Sequence, residues 1–390
     1  MPSSVWAQGP LTEGFGEADP ATFAFRLGPV LATPGLTVRE IGVDTNVFDE
    51  PVDPKRDYTA TVSPDLRLFM RVGVLRVSAL SAADFTYYRE YKEERGISRQ
   101  IRVRTDLLLS RLRPWVSGAF VQTRDRLNTE LDRRARRAGV EYGGGLGFEV
   151  SPTTRVYVAA ARTETTFRDG EVFQGVDLAS AFDRESDVAN GGLQLSLTPF
   201  TTMVLQGGVQ RDRFAEAPLR DSESRTASVE LQFSADAVIR GRLRIGYRDF
   251  QPVDPALARY QGVTGTAGIG FSAFGTARLE IDGTRDVEYS FEEEAGYFVQ
   301  TGAVLTYTQR LFGAWDLRGR AGRSWLDYGA AQLDGARNDH VDTYAVGLGY
   351  NLQDRSRIGL NYEYTERSAP TRADRRFDRQ RIYGSWTYEF

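Results

Sequence analysis

From residue 36 onward the chain alternates apolar and polar positions with a period of two and shows almost no helical periodicity. That alternation is the mark of strands with one apolar and one polar face. Ile239, Gly241, Leu243, Ile245 and Tyr247 fall on one face; Arg240, Arg242, Arg244, Gly246 and Arg248 fall on the other. Ile101, Val103, Thr105, Leu107 and Leu109 oppose Arg102, Arg104, Asp106, Leu108 and Ser110. Ala227, Val229, Leu231 and Phe233 oppose Ser228, Glu230 and Gln232, and Ile358, Leu360, Tyr362 and Tyr364 oppose Arg357, Gly359, Asn361, Glu363 and Thr365. A one-residue slip would exchange the two faces, so register is strongly specified.

The extended segments are joined alternately by tight turns and longer charged loops. Leu36–Phe48 is the first strong strand, followed by the polar loop Asp49–Arg56. Tyr58–Val72 and Val74–Tyr91 meet at Gly73, and after Lys92–Gly96 the strand Ser98–Leu112 pairs with Trp115–Arg126 across Arg113-Pro114. Further tight turns fall at Ser151–Thr153, Pro199-Phe200, Ala235–Ala237, Phe274-Gly275, Phe312-Gly313 and Asp354-Arg355. Asn128–Arg134, Arg168–Glu185, Asp212–Asp221, Pro252–Ala258 and Gly329–Asn338 are the long loops. Short turns at one end and long loops at the other predict an all-β, antiparallel transmembrane barrel of about 18 strands, with 16 to 18 as the range. An even count puts both termini on the short-turn, periplasmic side. Phe23–Ala32 is either a further pairing partner or a lead-in. A propeller would also supply many strands, but its strands are shorter and no blade motif recurs.

The last ten residues sharpen this picture. Ile382, Gly384, Trp386, Tyr388 and Phe390 share one face of a strand; Arg381, Tyr383, Ser385, Thr387 and Glu389 share the other. Chain ends normally fray into water, whereas an apolar, aromatic outer face is what a lipid-facing strand requires. The stretch looks like the C-terminal assembly signal of bacterial outer-membrane barrels, with Trp386, Tyr388 and Phe390 carrying it. A sandwich whose last strand happens to end in Phe is the bland alternative. Trp115, Tyr157, Phe271, Tyr297, Trp315, Tyr350 and Trp386 lie near strand ends, where interfacial girdles are expected.

Composition changes the picture in few places. The 390 residues contain no cysteine, which leaves neither disulfides nor thiolate metal sites. A net charge of −4 argues against a nucleic-acid partner. Mean hydropathy is −0.40 and no run approaches the roughly 18 apolar residues of a spanning helix, but neither fact bears on a barrel. Tyr 18, Phe 22 and Gly 39 suit a meander of aromatic-girdled strands. The cations are nearly all arginine; Lys55 and Lys92 are the only lysines. Ser4-Val5-Trp6-Ala7-Gln8 resembles the end of a secretory signal peptide. Residues 1–21 are therefore read as residual signal and flexible lead-in, and residues 22–390 as one barrel domain.

Ile41-Gly42-Val43-Asp44-Thr45-Asn46-Val47-Phe48, a charged loop, and then Asp57-Tyr58-Thr59-Ala60-Thr61-Val62-Ser63-Pro64 resemble the opening of the beta-barrel porin 2 family. The likeness is sharpest over about residues 36–126 and continues as a hairpin pattern to Phe390. The resemblance implies a barrel in the outer membrane of a Gram-negative bacterium, associated with exopolysaccharide or capsule loci. Its implied partners are outer-membrane lipid and lipopolysaccharide, the barrel-assembly machinery and periplasmic polysaccharide-export proteins. The leading expectation is a passive conduit for exported polysaccharide. A general diffusion porin for small solutes and a structural or adhesion barrel acting through its loops are the alternatives.

The expected functional surface is the lumen. Arg102, Arg104, Arg240, Arg242, Arg244, Arg248, Arg318 and Arg320 are predicted to point inward, with Asp106, Glu230, Asp282, Asp316 and Glu363 as acidic partners. Opposed rows of unlike charge select permeants by charge and size, although such charges can also merely line a wet barrel. Asp44 and Asn46 supply too few oxygens for calcium's roughly 6 to 8 ligands and are read as turn caps. The run Glu292-Glu293-Glu294 is read as a solvated loop. His340, the single histidine, is read as a surface-loop residue, because no nucleophile elbow accompanies it. No cofactor, metal or catalytic site is expected.

Overall fold

In a computed structural model, residues 23–131, 133–234, 237–273, 275–292, 295–328, 337–353 and 356–389 are described. The lead-in 1–21, Phe390, Glu293, Glu294 and most of the loop 329–338 lie outside them. Eighteen antiparallel strands form a closed barrel. The first five are β1 (Val30–Asp44), β2 (Asp57–Val72), β3 (Leu75–Tyr88), β4 (Gly96–Leu107) and β5 (Leu112–Thr123). β6 (Arg137–Ser151), β7 (Thr154–Phe167), β8 (Arg184–Thr198), β9 (Thr201–Phe214) and β10 (Ser222–Phe233) follow. The circuit continues through β11 (Ile239–Pro252), β12 (Tyr260–Ala273), β13 (Ala277–Tyr289) and β14 (Tyr297–Arg310). It ends with β15 (Trp315–Asp327), β16 (Asn338–Gln353), β17 (Ser356–Ser368) and β18 (Phe377–Glu389), which pairs back onto β1.

Each strand hydrogen-bonds its sequence neighbours, so closure leaves no open edge for lipid to meet. The apolar faces look outward: Val116, Val158, Ile245 and Leu360 are 62, 61, 58 and 63% exposed. In water such a surface would be a liability; in a bilayer it is the lipid-facing band. Trp315, Tyr350, Phe271 and Trp386 lie on this outer face, and Trp315 packs edge-on against Tyr350 at 5.0 Å. Toward the long-loop end the outward residues become ion pairs, Arg162–Asp187 at 2.6 Å, Arg211–Glu223 at 2.5 Å and Arg323–Asp342 at 2.5 Å. These pairs mark where the strands leave the apolar layer.

Closure depends on a bulge in β1. The registers to β2 and β18 both shift around Arg39–Gly42, and Glu40 has a positive φ of 58°. The extra residue changes which face looks inward. Arg39 and Glu40 both face the lumen, and beyond them Asp44 does so as well. There Arg381 donates to Glu40 at 2.9 Å and to Glu363 at 2.5 Å, and Arg379 binds Asp44. Gly42 is required at this point, since a Cβ would lie 1.9 Å from the Ile382 carbonyl oxygen.

Several expectations are corrected. β1 runs from Val30 to Asp44, so Asn46–Phe48 belong to the loop. The β4–β5 turn falls at residues 108–111 rather than at Arg113-Pro114. Pro114 is tolerated inside β5 because the β4 ladder has ended one pair earlier, at Asp106–Trp115. Phe25–Leu27 is a short strand on the part of β1 that β18, ending opposite Gly35, does not reach. Gly73, Gly275 and Gly313 hold short turns with φ of 58°, 68° and 59°, where a side chain would be strained.

The long-loop end is filled from within. Leu131 and Ala135 of loop 124–136, Leu178, Ala181 and Phe182 of loop 168–183, and Phe291 of loop 290–296 form one buried cluster. They pack on the lumen-side aromatics Phe167, Phe214, Phe250 and Tyr297. Loop 124–136 spans the mouth: Arg126 pairs with Asp49 at 2.5 Å, and the side chain of Glu130 reaches Ser290 and Tyr328. Arg367 and Arg375 donate to the Glu130 carbonyl oxygen from the far wall.

Candidate functional site

The lumen is lined by the polar faces of the strands, narrowed at its long-loop end by the inserted loops. Alternation puts Asp106, Glu230, Arg248, Asp316 and Glu363 on this inner face, each under 10% exposed. Arg104 binds Asp106 at 2.9 Å, Arg76 reaches the same carboxylate at 3.3 Å, and Arg104 lies 4.2 Å over the Trp115 ring. Arg244 donates to Glu230 at 2.7 Å, with Gln232 on its other oxygen at 2.6 Å. Arg248 binds Asp286 at 2.9 Å and the Ser224 hydroxyl at 3.0 Å. Arg240 donates to Ser272 and Arg318 to Thr308. Arg102 and Arg320 have no hydrogen-bonded carboxylate among the described residues. Asp316 is held by Arg357 at 2.6 Å, and Arg381 holds Glu363.

Two cavities open from this wall. One of about 290 Å³ below the inserted loops is lined by Arg102, Arg137, Arg184, Arg244, Arg248 and Arg285, against Glu141, Asp286 and Glu288. The other, of about 690 Å³, is lined by Arg76, Arg104, Arg113, Arg155 and Arg242, against Asp106 and Glu230. Cations therefore outnumber carboxylates in both, although the chain as a whole is acidic. Low-dielectric walls focus such a field onto the water between them.

The candidate arginines and carboxylates thus gather in the lumen, but in a different grouping from the one the alternation alone gave. Arg104–Asp106 and Arg244–Glu230 are direct pairs. Arg248, Asp316 and Glu363 find Asp286, Arg357 and Arg381, none of them among the lumen candidates, although the alternation puts Arg357 and Arg381 on polar strand faces. Trp115, Tyr157 and Tyr297 are not girdle residues. Trp115 and Tyr157 line the larger cavity, and Tyr297 is buried in the inserted cluster, its hydroxyl donating to the Ala258 carbonyl. The signal was present: Trp115 and Tyr157 share their strand face with Arg113 and Arg155, two positions away.

Asn46 closes its turn as a cap, accepting from Glu50 N at 2.9 Å and donating to the Glu50 carbonyl, while Asp44 accepts from Asn46 N. Glu292 is not simply solvated; Arg337 and Arg372 bind it at 2.9 and 3.0 Å. His340 sits within β16 rather than in a loop, on the outer face, 3.9 Å from Asp342. Trp386 and Tyr388 face outward on β18, and the Trp386 Nε1 donates to Ser356 at 3.0 Å.

A family model described as Putative beta-barrel porin 2 matches residues 20–390. No curated protein matches the chain. Among solved structures, a BenF-like porin from Pseudomonas fluorescens Pf-5 gives a TM-score of 0.53 at 9% identity, covering 93% of this chain and 100% of that one. OccK2 (OpdF) from Pseudomonas aeruginosa gives 0.52 at 14% identity, covering 92% and 98%. At these identities the likeness bears on fold: an outer-membrane barrel of the porin type.

Proposed function

The chain belongs to the beta-barrel porin 2 family, and from that footing we propose that it is an outer-membrane diffusion channel for small anionic solutes. The observation that carries this reading is the arginine excess around both lumen cavities, in a barrel whose mouth is narrowed by its own loops. Arginine guanidinium groups bind carboxylates through paired donors, and several weak contacts along a wall favour entry without trapping the solute. Loop residues packed inside the mouth narrow it, which supports small solutes over a chain of sugars. Liposomes carrying the protein test this: they should swell faster in small carboxylates than in cations of equal size, and equal rates would overturn it.

Passage of an exopolysaccharide, with periplasmic export proteins docked below, is the second reading. Tyr157 on the lumen wall favours it, because sugar rings stack on aromatic faces. Loss of surface polymer in a deletion strain, restored by the wild-type copy, would support it. On either reading, the outward Trp386 and Tyr388 with Phe390 serve as the recognition strand for barrel assembly.

A further inference from the structure

Two aromatic rings in the larger cavity lie on neighbouring strands where the chain has placed glycine. Trp115 pairs with Gly145 of β6, and a Cβ there would sit 2.7 Å from the indole Nε1 and 2.8 Å from Cε2. Tyr157 of β7 is paired with Gly192 of β8, where a Cβ would lie 2.8 Å from the phenol oxygen and 3.0 Å from Cε1. A Cβ at these positions would meet the rings and also the backbone carbonyl oxygens of Val158, at 2.7 Å, and Leu205. With glycine there, both rings lie along the wall, on the same cavity. Around them stand side chains with hydrogen-bonding edges: the Tyr157 hydroxyl donates to Gln206 at 2.9 Å, and Gln194 and Gln232 line the same space.

We propose that this cavity is a binding subsite for a sugar acid, with the pyranose ring laid against Tyr157, beside the Trp115 ring that Arg104 already covers, and its carboxylate among the surrounding arginines. The proposal rests on the anion-channel reading and gives it a substrate class. A pyranose has apolar C–H faces that suit an aromatic ring and a rim of hydroxyls that suits glutamine amides and carboxylate oxygens. A plain aryl carboxylate would stack equally well but would leave those polar groups unmatched as it displaced their water. Arg104 is held in place by Asp106 and by the Trp115 ring, so a carboxylate meets a preset donor. The cavity volume, about 690 Å³, is ample for one monosaccharide.

The test is blockade of single-channel current by galacturonate, acetate, benzoate and methyl glucoside, with the folded barrel checked by heat-modifiable gel mobility. Wild-type protein should hold galacturonate longer than any of the other three. Tyr157→Ala should lower the galacturonate-to-acetate ratio of residence times several-fold, and Tyr157→Phe, which keeps the ring, should restore part of it. If the wild-type pore shows no preference for anions, the broader channel reading fails. If it prefers anions but holds galacturonate no longer than acetate, or if Tyr157→Ala leaves the ratio unchanged, the subsite fails alone. Longer blockade by benzoate than by galacturonate would overturn the sugar class.

Discussion

Glu130 accepts a hydrogen bond of 2.9 Å from the Tyr328 hydroxyl, a residue 198 positions further along the chain. The same carboxyl accepts from the Ser290 hydroxyl at 2.7 Å and from Phe291 N at 3.0 Å, and it is fully buried. One side chain from loop 124–136 thereby joins the 290–296 loop to the far wall. The latch is local in chemistry but spans the mouth of the barrel.

Glu130→Ala should loosen the inserted loops. It strands three buried donors, each costing roughly 1–3 kcal/mol when left unpaired. Single-channel recordings should show a larger and noisier conductance than wild type. Conductance identical to wild type would mean that the latch does not hold the loops.

The same carboxyl makes the loops sensitive to pH. Burial, the largest influence, pushes the Glu130 pKa above its ordinary value, against the lowering effect of its hydrogen bonds from Ser290, Phe291 and Tyr328. Glu292 adds to the upward shift. Arg337, Arg367, Arg372, Arg375 and Asp339 are other charges among the described residues in this part of the mouth. A raised carboxyl pKa means that the closed arrangement is most stable while Glu130 is protonated. Its contribution is present in full below the ordinary glutamate range and is lost as pH rises through the raised value. Conductance should therefore increase with pH across that window, and Glu130→Gln, which stays neutral, should flatten the response. An unchanged pH profile in Glu130→Gln would refute the assignment.

Selectivity should follow the lumen arginines. Arg244→Gln removes the cation that faces Glu230 and lowers the positive excess shared by the wall. The anion-to-cation permeability ratio, read from reversal potentials under a salt gradient, should fall several-fold. The doubly substituted Arg242→Gln/Arg244→Gln protein should shift it further. Outward-facing Arg211→Gln, on the far side of the wall, serves as the comparison and should move the ratio far less.

Closure of the barrel should be intolerant at Gly42. Any Cβ there meets the Ile382 carbonyl, on the ladder that joins the first strand to the last. Gly42→Val should reduce the yield of heat-modifiable barrel in outer-membrane fractions well below that of Gly35→Ala. In the latter the added methyl meets an Asp65 side chain, which can rotate aside. Equal yields would mean that the bulge can relax.

The strands were legible because lipid on one face and water on the other enforce a strict period of two, as in Arg240–Arg248 against Ile239–Tyr247. The bulge at Glu40 was not, because one extra residue leaves composition unchanged while reversing the face of everything beyond it. Trp115 and Tyr157 were misplaced for a different reason. An aromatic near a strand end suits both a girdle and a lumen wall, and only the parity with Arg113 and Arg155 separates the two. The inserted loops were beyond reach: nothing local in Asn128–Glu130–Leu131 says that their partners lie at Tyr289, Ser290, Tyr328 and Arg367. Their hydrophobic residues read as ordinary loop content until the barrel supplies an interior to bury them.

The most direct measurement is the zero-current potential of the purified wild-type channel in a planar bilayer separating concentrated from dilute potassium chloride. The arginine-rich lumen predicts a potential with the sign of chloride selectivity, diminishing as ionic strength rises and screening shortens the reach of the wall charges. A potential with the sign of potassium selectivity, or none, would contradict the account.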